Sequence, residues 1–236
     1  MKLSIIIPSY NEQHTIIELL KSVQAVHFPI EYEIIIVDDG SEDRTLENEA
    51  FIKKNSEARN IRIFRNRINR GKSFSIRKGI QHAKGDLLIV QDADHEYDPN
   101  DIPSLLEPIL RGEADAVYGS RFLAQKHPEG MARPNWIANK MLTWITNALF
   151  RTQLTDLETC YKVFKTGHLR ALPLKSVRFS FEPEVTGLLS KKGIKIVERP
   201  VHYSGRTAKE GKKIKARDFF FAIFTMLRVA FYKDKA

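Results

Sequence analysis

Short β-branched runs alternate with helically spaced stretches through the first half of the chain, and this rhythm restricts the fold more than any other feature. Residues 3–8 and 33–37 read as strands, and residues 12–26 between them carry apolar side chains at helical spacing, which makes a βαβ unit. Residues 61–64 supply a third strand, 73–83 a helix, 86–91 a fourth strand, 102–110 another helix and 115–118 a further strand. Such alternation predicts an α/β fold with a mostly parallel central sheet flanked by helices. Ligands then belong at the carboxyl ends of the strands.

That rule turns strand order into a site map. The segments following the strands are Pro8-Ser9-Tyr10-Asn11-Glu12, Asp38-Asp39-Gly40-Ser41, Asp92-Ala93-Asp94 and Gly119-Ser120-Arg121, all rich in polar groups. Residues two apart on an extended chain point the same way, so Asp92 and Asp94 face one pocket. Hard oxygen ligands suit Mg²⁺ or Mn²⁺, which bring phosphates with them. The plainer reading is a polar strand end whose aspartates cap the next turn. Three carboxylate-bearing strand ends on one edge would repel one another without a cation or ligand donors, and this context favours the metal.

Two other phosphate-binding patterns fail on spacing. Gly71-Lys72-Ser73 resembles the end of a P-loop, but the earlier glycine that motif needs falls on Asn66. The first strand runs into Pro8-Ser9-Tyr10 with no G-x-G-x-x-G, against a dinucleotide site.

With 236 residues, 42% of them hydrophobic, the chain suffices for one sizeable core. The division expected is a catalytic domain over residues 1–215 and an apolar, basic C-terminal helix over 216–236. The single cysteine, Cys160, cannot form an internal disulfide, which fits a reducing compartment. No window offers the roughly 20 apolar residues of a membrane-spanning helix. The net charge of +9 is concentrated late, with 13 Lys or Arg against 4 Asp or Glu over residues 191–235. Such an excess suits anionic lipid headgroups or a phosphorylated substrate. Nucleic acid is not expected, because no nucleic-acid motif is present and the aromatic residues do not alternate with the basic run.

The strand-end motifs Ser4-Ile5-Ile6-Ile7-Pro8-Ser9-Tyr10-Asn11-Glu12, Ile36-Val37-Asp38-Asp39-Gly40-Ser41, Asp92-Ala93-Asp94 and Gly119-Ser120-Arg121-Phe122 together resemble family 2 inverting glycosyltransferases with the GT-A fold. Within that family the likeness is to dolichol- or polyprenyl-phosphate sugar synthases. The downstream motifs Asp156-Leu157-Glu158-Thr159-Cys160-Tyr161, Phe181-Glu182-Pro183-Glu184 and the run from Arg206 through Glu210-Gly211-Lys212 extend it in order.

The resemblance implies roles by position. Pro8, Tyr10, Glu12, Val37 and Asp39 would hold the base and ribose of a nucleotide-sugar such as GDP-mannose or UDP-glucose. Asp92, Asp94 and, as a third ligand, Glu96 would hold Mg²⁺ or Mn²⁺, with Ala93 between them in the donor site. Arg121 and Lys140 would face the acceptor phosphate of a polyprenyl phosphate, with Asp94, Arg121 and Lys140 as the catalytic set. Arg206 and Lys212 would close over the donor diphosphate. Relatives often carry arginine at the Lys140 position and glycine at Ser73. The implied setting is peripheral, at the cytoplasmic face of a membrane, with a membrane-protein partner possible.

The acceptor class decides whether a base is needed. A hydroxyl must lose its proton during attack, whereas a phosphate monoester is already anionic and needs positioning cations. Under the hydroxyl reading Glu182 and Glu184 are the base candidates. Their plainer role is a helix start, with Pro183 at its first position. His95 is the one histidine near the proposed metal. Residues 136–150 read as a helix packed on the sheet or facing lipid, and residues 219–227 as an interfacial, core or dimer-contact helix.

Overall fold

The computed structural model describes residues 1–55, 60–205 and 216–232. The predicted sheet is present. Strands β1 (Lys2–Ser9), β2 (Glu31–Asp38), β3 (Ile61–Arg65), β4 (Leu87–Val90), β5 (Ala116–Ser120), β6 (Lys162–Lys165) and β7 (Ile196–Pro200) lie in the order β3-β2-β1-β4-β6-β5-β7. All neighbours run parallel except β6, which is antiparallel to both β4 and β5. That inserted strand was not anticipated from the sequence.

Alternation on the strands divides the core into two layers. Leu3, Ile5 and Ile7 of β1, with Ile34 and Ile36 of β2, meet α1 (Ile16–Ala25) and α4 (Ile102–Leu110) on one face. Ile6, Ile35 and Val37 point the other way, against α3 (Lys72–His82) and α8 (Phe181–Lys191). A sheet covered on both faces requires continuous apolar strands, which is why Ile5-Ile6-Ile7 and Ile34-Ile35-Ile36 contain no polar residue. Each such side chain contributes about 1.5–3 kcal/mol on burial. The helices α2 (Thr45–Asn55), α5 (Arg121–Ala124) and α7 (Thr166–Arg170) complete the outer shell.

A third, smaller cluster joins α6 (Arg133–Phe150) to α9 (Ala216–Phe231) through Leu142, Leu157, Ala222 and Met226. Helix α9 also packs against α8. It is therefore docked on the body of the protein while leaving Phe220, Phe224 and Phe231 exposed.

One boundary differs in a way that matters for the site. Helix α1 begins at Ile16 instead of near Glu12, because Asn11 adopts a left-handed φ of 52° and turns the chain immediately after β1. Asparagine tolerates that region better than most residues. The turn leaves residues 10–15 as a loop, with the Glu12 carbonyl accepting from Thr15 N and Ile16 N.

Candidate active site

Two adjoining cavities open at the carboxyl ends of the strands. The smaller, of 420 Å³, is lined by Pro8, Tyr10, Glu12 and Asp39 after β1 and β2, and by Asp92, Ala93, Asp94 and Glu96 after β4. The larger, of 660 Å³, has apolar walls from Ile137, Met141 and Leu142 of α6 and from Phe219, Phe220 and Ala222 of α9. Lys72, Asp92, Glu96 and Phe179 line both, so the cavities meet at those residues.

The Asp38-Asp39 pair divides into two roles. Asp38 Oδ1 accepts from the amides of Gly40 and Ser41, both at 3.1 Å, closing the turn that presents Asp39. Asp39 accepts from Arg70 N, Gly71 N and Asn66 Nδ2 at 2.7–3.1 Å. It is thus tied to the loop entering α3 while it lines the smaller cavity. Gly71 sits at φ 89°, and a Cβ there would come within 2.9 Å of Arg178 Cα.

Val37 does not join this group. Its side chain is wholly buried among the residues facing α3 and lines neither cavity. The pleat of β2 turns it inward with Ile35.

Asp92 and Asp94 both reach the smaller cavity, as their spacing predicts. Asp94 Oδ1 accepts from Glu96 N at 3.1 Å, and Glu96 Oε2 accepts the Tyr203 hydroxyl at 3.0 Å. Among the described residues no three His, Cys, Asp or Glu side chains form a ready metal cage, and Glu96 lines the same cavity as the two aspartates. Two carboxylates completed by substrate phosphate and water are nevertheless a normal setting for Mg²⁺ or Mn²⁺, and the all-oxygen donor set fits. The need for positive charge here is visible in the protein itself: Lys72 Nζ lies 2.8 Å from Asp92 Oδ1 and 3.5 Å from Glu182 Oε1.

Cations surround the smaller cavity. Lys72, Arg70, Arg178 and Arg217 all line it, and none was picked out from the sequence as a ligand. Gly71-Lys72 carried a signal, as the glycine-lysine step that opens α3. Arg178 carried none. Arg206 and Lys212, expected over the diphosphate, lie outside the described residues.

At the polar end of the larger cavity Arg121 is clamped by Asp156. Its Nε and Nη2 lie 2.6 Å from the two carboxylate oxygens, its backbone N donates to Oδ2, and Nη2 also reaches Asn139 Oδ1 at 3.3 Å. Glu198 accepts the amides of Thr155 and Asp156. The buried Lys162 ammonium donates to the carbonyls of Leu157 and Thr159. Together they fix the turn that carries Asp156 and Glu158. Burial lowers the Lys162 pKa, with neighbouring carboxylates opposing that shift.

Lys140 is placed differently from expectation. It lines neither cavity, and its ammonium sits 3.7 Å from the centre of the Phe122 ring, where partial burial lowers its pKa. The glutamates of 182–184 separate cleanly. Glu182 lines the larger cavity beside Lys72, whereas Glu184 accepts the amides of Lys175 and Ser176 and pairs with Arg228 of α9. Glu158 also lines the larger cavity, and burial, followed by the charge of Glu182, pushes its carboxyl up to about 8. His95 faces Glu18 at 3.5 Å and lines neither of the two cavities.

A family model described as glycosyl transferase family 2 matches residues 4–178. A dolichol-phosphate mannosyltransferase from Pyrococcus furiosus is 29% identical over 93% of this chain and 61% of its own length. A dodecaprenyl-phosphate galacturonate synthase from Rhizobium johnstonii is 30% identical over 78% of this chain and 53% of its own. The chain therefore spans a little over half the length of these relatives. Among solved structures, a glucosyl-3-phosphoglycerate synthase from Mycobacterium tuberculosis, in complex with Mn²⁺, UDP and phosphoglyceric acid, shares the fold. It superposes with a TM-score of 0.73 at 17% identity, covering 99% of this chain and 80% of that one.

Proposed function

The chain belongs to glycosyl transferase family 2 and is a glycosyltransferase with a GT-A fold; from that premise we propose that it transfers a hexose from a nucleotide-sugar to a polyprenyl phosphate, with inversion. One observation carries the reading. A carboxylate-lined cavity that holds Asp92 and Asp94 adjoins an apolar cavity whose polar end holds a buried arginine, and both share Lys72 and Asp92.

In this reading the nucleotide occupies the smaller cavity, with Pro8, Tyr10, Glu12 and Asp39 at base and ribose. GDP-mannose and UDP-glucose are the donors proposed. Asp92 and Asp94 would hold Mg²⁺ or Mn²⁺, which when bound supplies electrostatic stabilisation of the leaving diphosphate. Arg70, Arg178 and Arg217 add fixed positive charge beside the same group, and such charge lowers the barrier when it is felt more strongly in the transition state. Arg206 and Lys212 are proposed to assist from the segment outside the described residues.

The acceptor's isoprenoid chain lies along α6 and α9 and its phosphate meets Arg121, which Asp156 holds in place. An acceptor phosphate oxygen forms the new bond to the anomeric carbon from the face opposite the diphosphate. The bond from that carbon to the diphosphate oxygen breaks, and the nucleoside diphosphate leaves with the electron pair. The acceptor phosphate is already ionised, so no general base is required. Lys140, packed on Phe122, is proposed as a more distant positive charge near the same phosphate.

No helix among the described residues is long and apolar enough to cross a membrane. Trp144 of α6 and Phe220, Phe224 and Phe231 of α9 are exposed, and the larger cavity opens between those helices. The proposed setting is peripheral, at the cytoplasmic face, with residues 216–236 as an interfacial anchor on the catalytic domain.

The test is incubation with labelled nucleotide-sugar, polyprenyl phosphate and Mn²⁺, followed by organic extraction. Label in an acid-labile lipid supports the proposal. Label confined to saccharide acceptors favours a hydroxyl-directed transferase, in which Glu182, a carboxylate lining the larger cavity, is the base proposed.

A further inference from the structure

The cation at the meeting point of the two cavities belongs to the protein itself. Lys72 Nζ donates a charge-assisted hydrogen bond to Asp92 Oδ2 at 2.9 Å, stands 2.8 Å from Oδ1 of the same carboxylate, and lies 3.5 Å from Glu182 Oε1, at the limit of hydrogen-bond length. The lysine therefore has one partner in hand and a second within reach. An ammonium carries three donors on a flexible stem and exchanges partners readily.

Its backbone is fixed on both sides. Lys72 is the first residue of α3. Before it, Gly71 N donates to Asp39 Oδ2 at 2.7 Å; after it, the Ser73 amide and hydroxyl both donate to the Arg178 carbonyl at 2.8 Å. The side chain is 18% exposed and Asp92 is 22% exposed, so the pair is partly shielded from solvent. Glu182, at 7%, is more deeply placed.

A divalent ion approaching Asp92 meets a carboxylate that is already neutralised. It must displace the ammonium, and the ammonium must find other negative charge. Glu182 offers that charge, 3.5 Å away. We propose that Lys72 is a positioning residue that holds Asp92 before the metal arrives and passes to Glu182 when it binds. This rests on the reading of Asp92 and Asp94 as metal ligands.

The proposal has a signature that a packing role does not share. Lys72→Met removes the competitor, so the nucleotide-free protein binds Mn²⁺ more tightly by about 5- to 10-fold, within the usual range of site-to-site coupling. Glu182→Gln removes the alternative partner and leaves the lysine on Asp92, so Mn²⁺ binding weakens by about fivefold. In the Lys72→Met background, Glu182→Gln has no further effect.

The experiment is a Mn²⁺ titration of the full chain by electron paramagnetic resonance, with and without UDP or GDP, after circular dichroism confirms folding of each variant. Lys72→Gln, neutral but still polar, is expected to tighten binding as methionine does and replaces that variant if it fails to fold. Opposite shifts for the lysine and glutamate variants support the proposal. Shifts in the same direction, or none, overturn it while leaving the metal reading intact. Failure of the wild type to bind Mn²⁺ with either nucleotide removes the metal reading and the lysine's role with it.

Discussion

Arg121 and Asp156 form a buried bidentate pair, with two nitrogen-to-oxygen distances of 2.6 Å and side chains 6% and 0% exposed. The geometry locks the guanidinium at the cavity wall, and Nη2 also reaches Asn139. Removing one member of such a pair strands the other charge. Arg121→Ala is expected to destabilise the fold by about 3–5 kcal/mol, read from the denaturation midpoint. Arg121→Lys keeps the charge without the fork, so it recovers part of the stability and little of the acceptor affinity. A normal acceptor KM in Arg121→Lys would contradict the acceptor-phosphate assignment.

Gly71 is tightly enclosed in the loop entering α3. With φ at 89° and Arg178 backbone 2.9 Å from a built Cβ, Gly71→Ala is strained in both conformation and space. A loss of about 1–3 kcal/mol in stability is expected, together with weaker nucleotide binding, because the Gly71 amide holds Asp39. Isothermal titration with UDP and GDP measures the second effect. Unchanged affinity for both would detach Asp39 from the donor site.

Glu184 and Arg228 fasten α9 to the body of the protein. Glu184 is buried and also accepts two amides from the segment before α8, so it does not need Arg228 to be satisfied. Arg228→Ala should therefore cost about 1.5–3 kcal/mol, the range for losing a charged hydrogen bond, and show first as faster proteolysis near α9. Uniform loss of stability across the chain would mean that α9 has no separate opening.

Glu158 sets a pH dependence whose sign follows from its carboxyl being raised from an ordinary 4.5 to about 8, first by burial and then by Glu182. The folded chain binds this proton more tightly than the unfolded chain. Its stabilising contribution is complete below 4.5 and is lost as pH rises through about 8. Glu158→Gln mimics the protonated acid, so its stability relative to wild type should climb across that window. A constant difference between the two proteins would show that Glu158 titrates normally.

The exposed apolar residues of α6 and α9 predict membrane affinity. Trp144 and Phe224 are 72% and 67% exposed, so replacing them leaves the core untouched. Each large apolar side chain inserted is worth about 1.5–3 kcal/mol, so Phe224→Glu should reduce co-sedimentation with anionic vesicles about tenfold or more with little change in melting temperature. Equal sedimentation of variant and wild type would remove this face as the docking surface.

Unlike β7 (Ile196–Pro200), which was not read as a strand, strands β1–β5 were legible in the sequence because each is a short apolar run set off by a helical stretch. Strand β6 was not: in Lys162-Val163-Phe164-Lys165 only two residues are apolar, and its place between β4 and β5 depends on the buried Lys162 finding carbonyl partners. Helix α8 was visible only as a possible start at Glu182 and Pro183. Helix α2 was missed, its apolar residues being too few to mark a face.

The site shows the same division. Carboxylates follow strands directly, so Asp39, Asp92 and Asp94 could be read as neighbours. The cations Lys72, Arg178 and Arg217 come from a helix start, a loop and a second helix that only the folded chain brings together. Val37 was assigned to the donor site through resemblance, whereas the strand pleat sends its side chain into the core.

The central claim is that Asp92 and Asp94 hold the cation against which the donor's diphosphate rests. Crystals grown with Mn²⁺ and either UDP or GDP, measured at the manganese absorption edge, test it directly. The account predicts an anomalous peak between the Asp92 and Asp94 carboxylates, with the diphosphate beside it in the smaller cavity and Lys72 turned toward Glu182. A nucleotide bound elsewhere, with no peak at that pair, would contradict it.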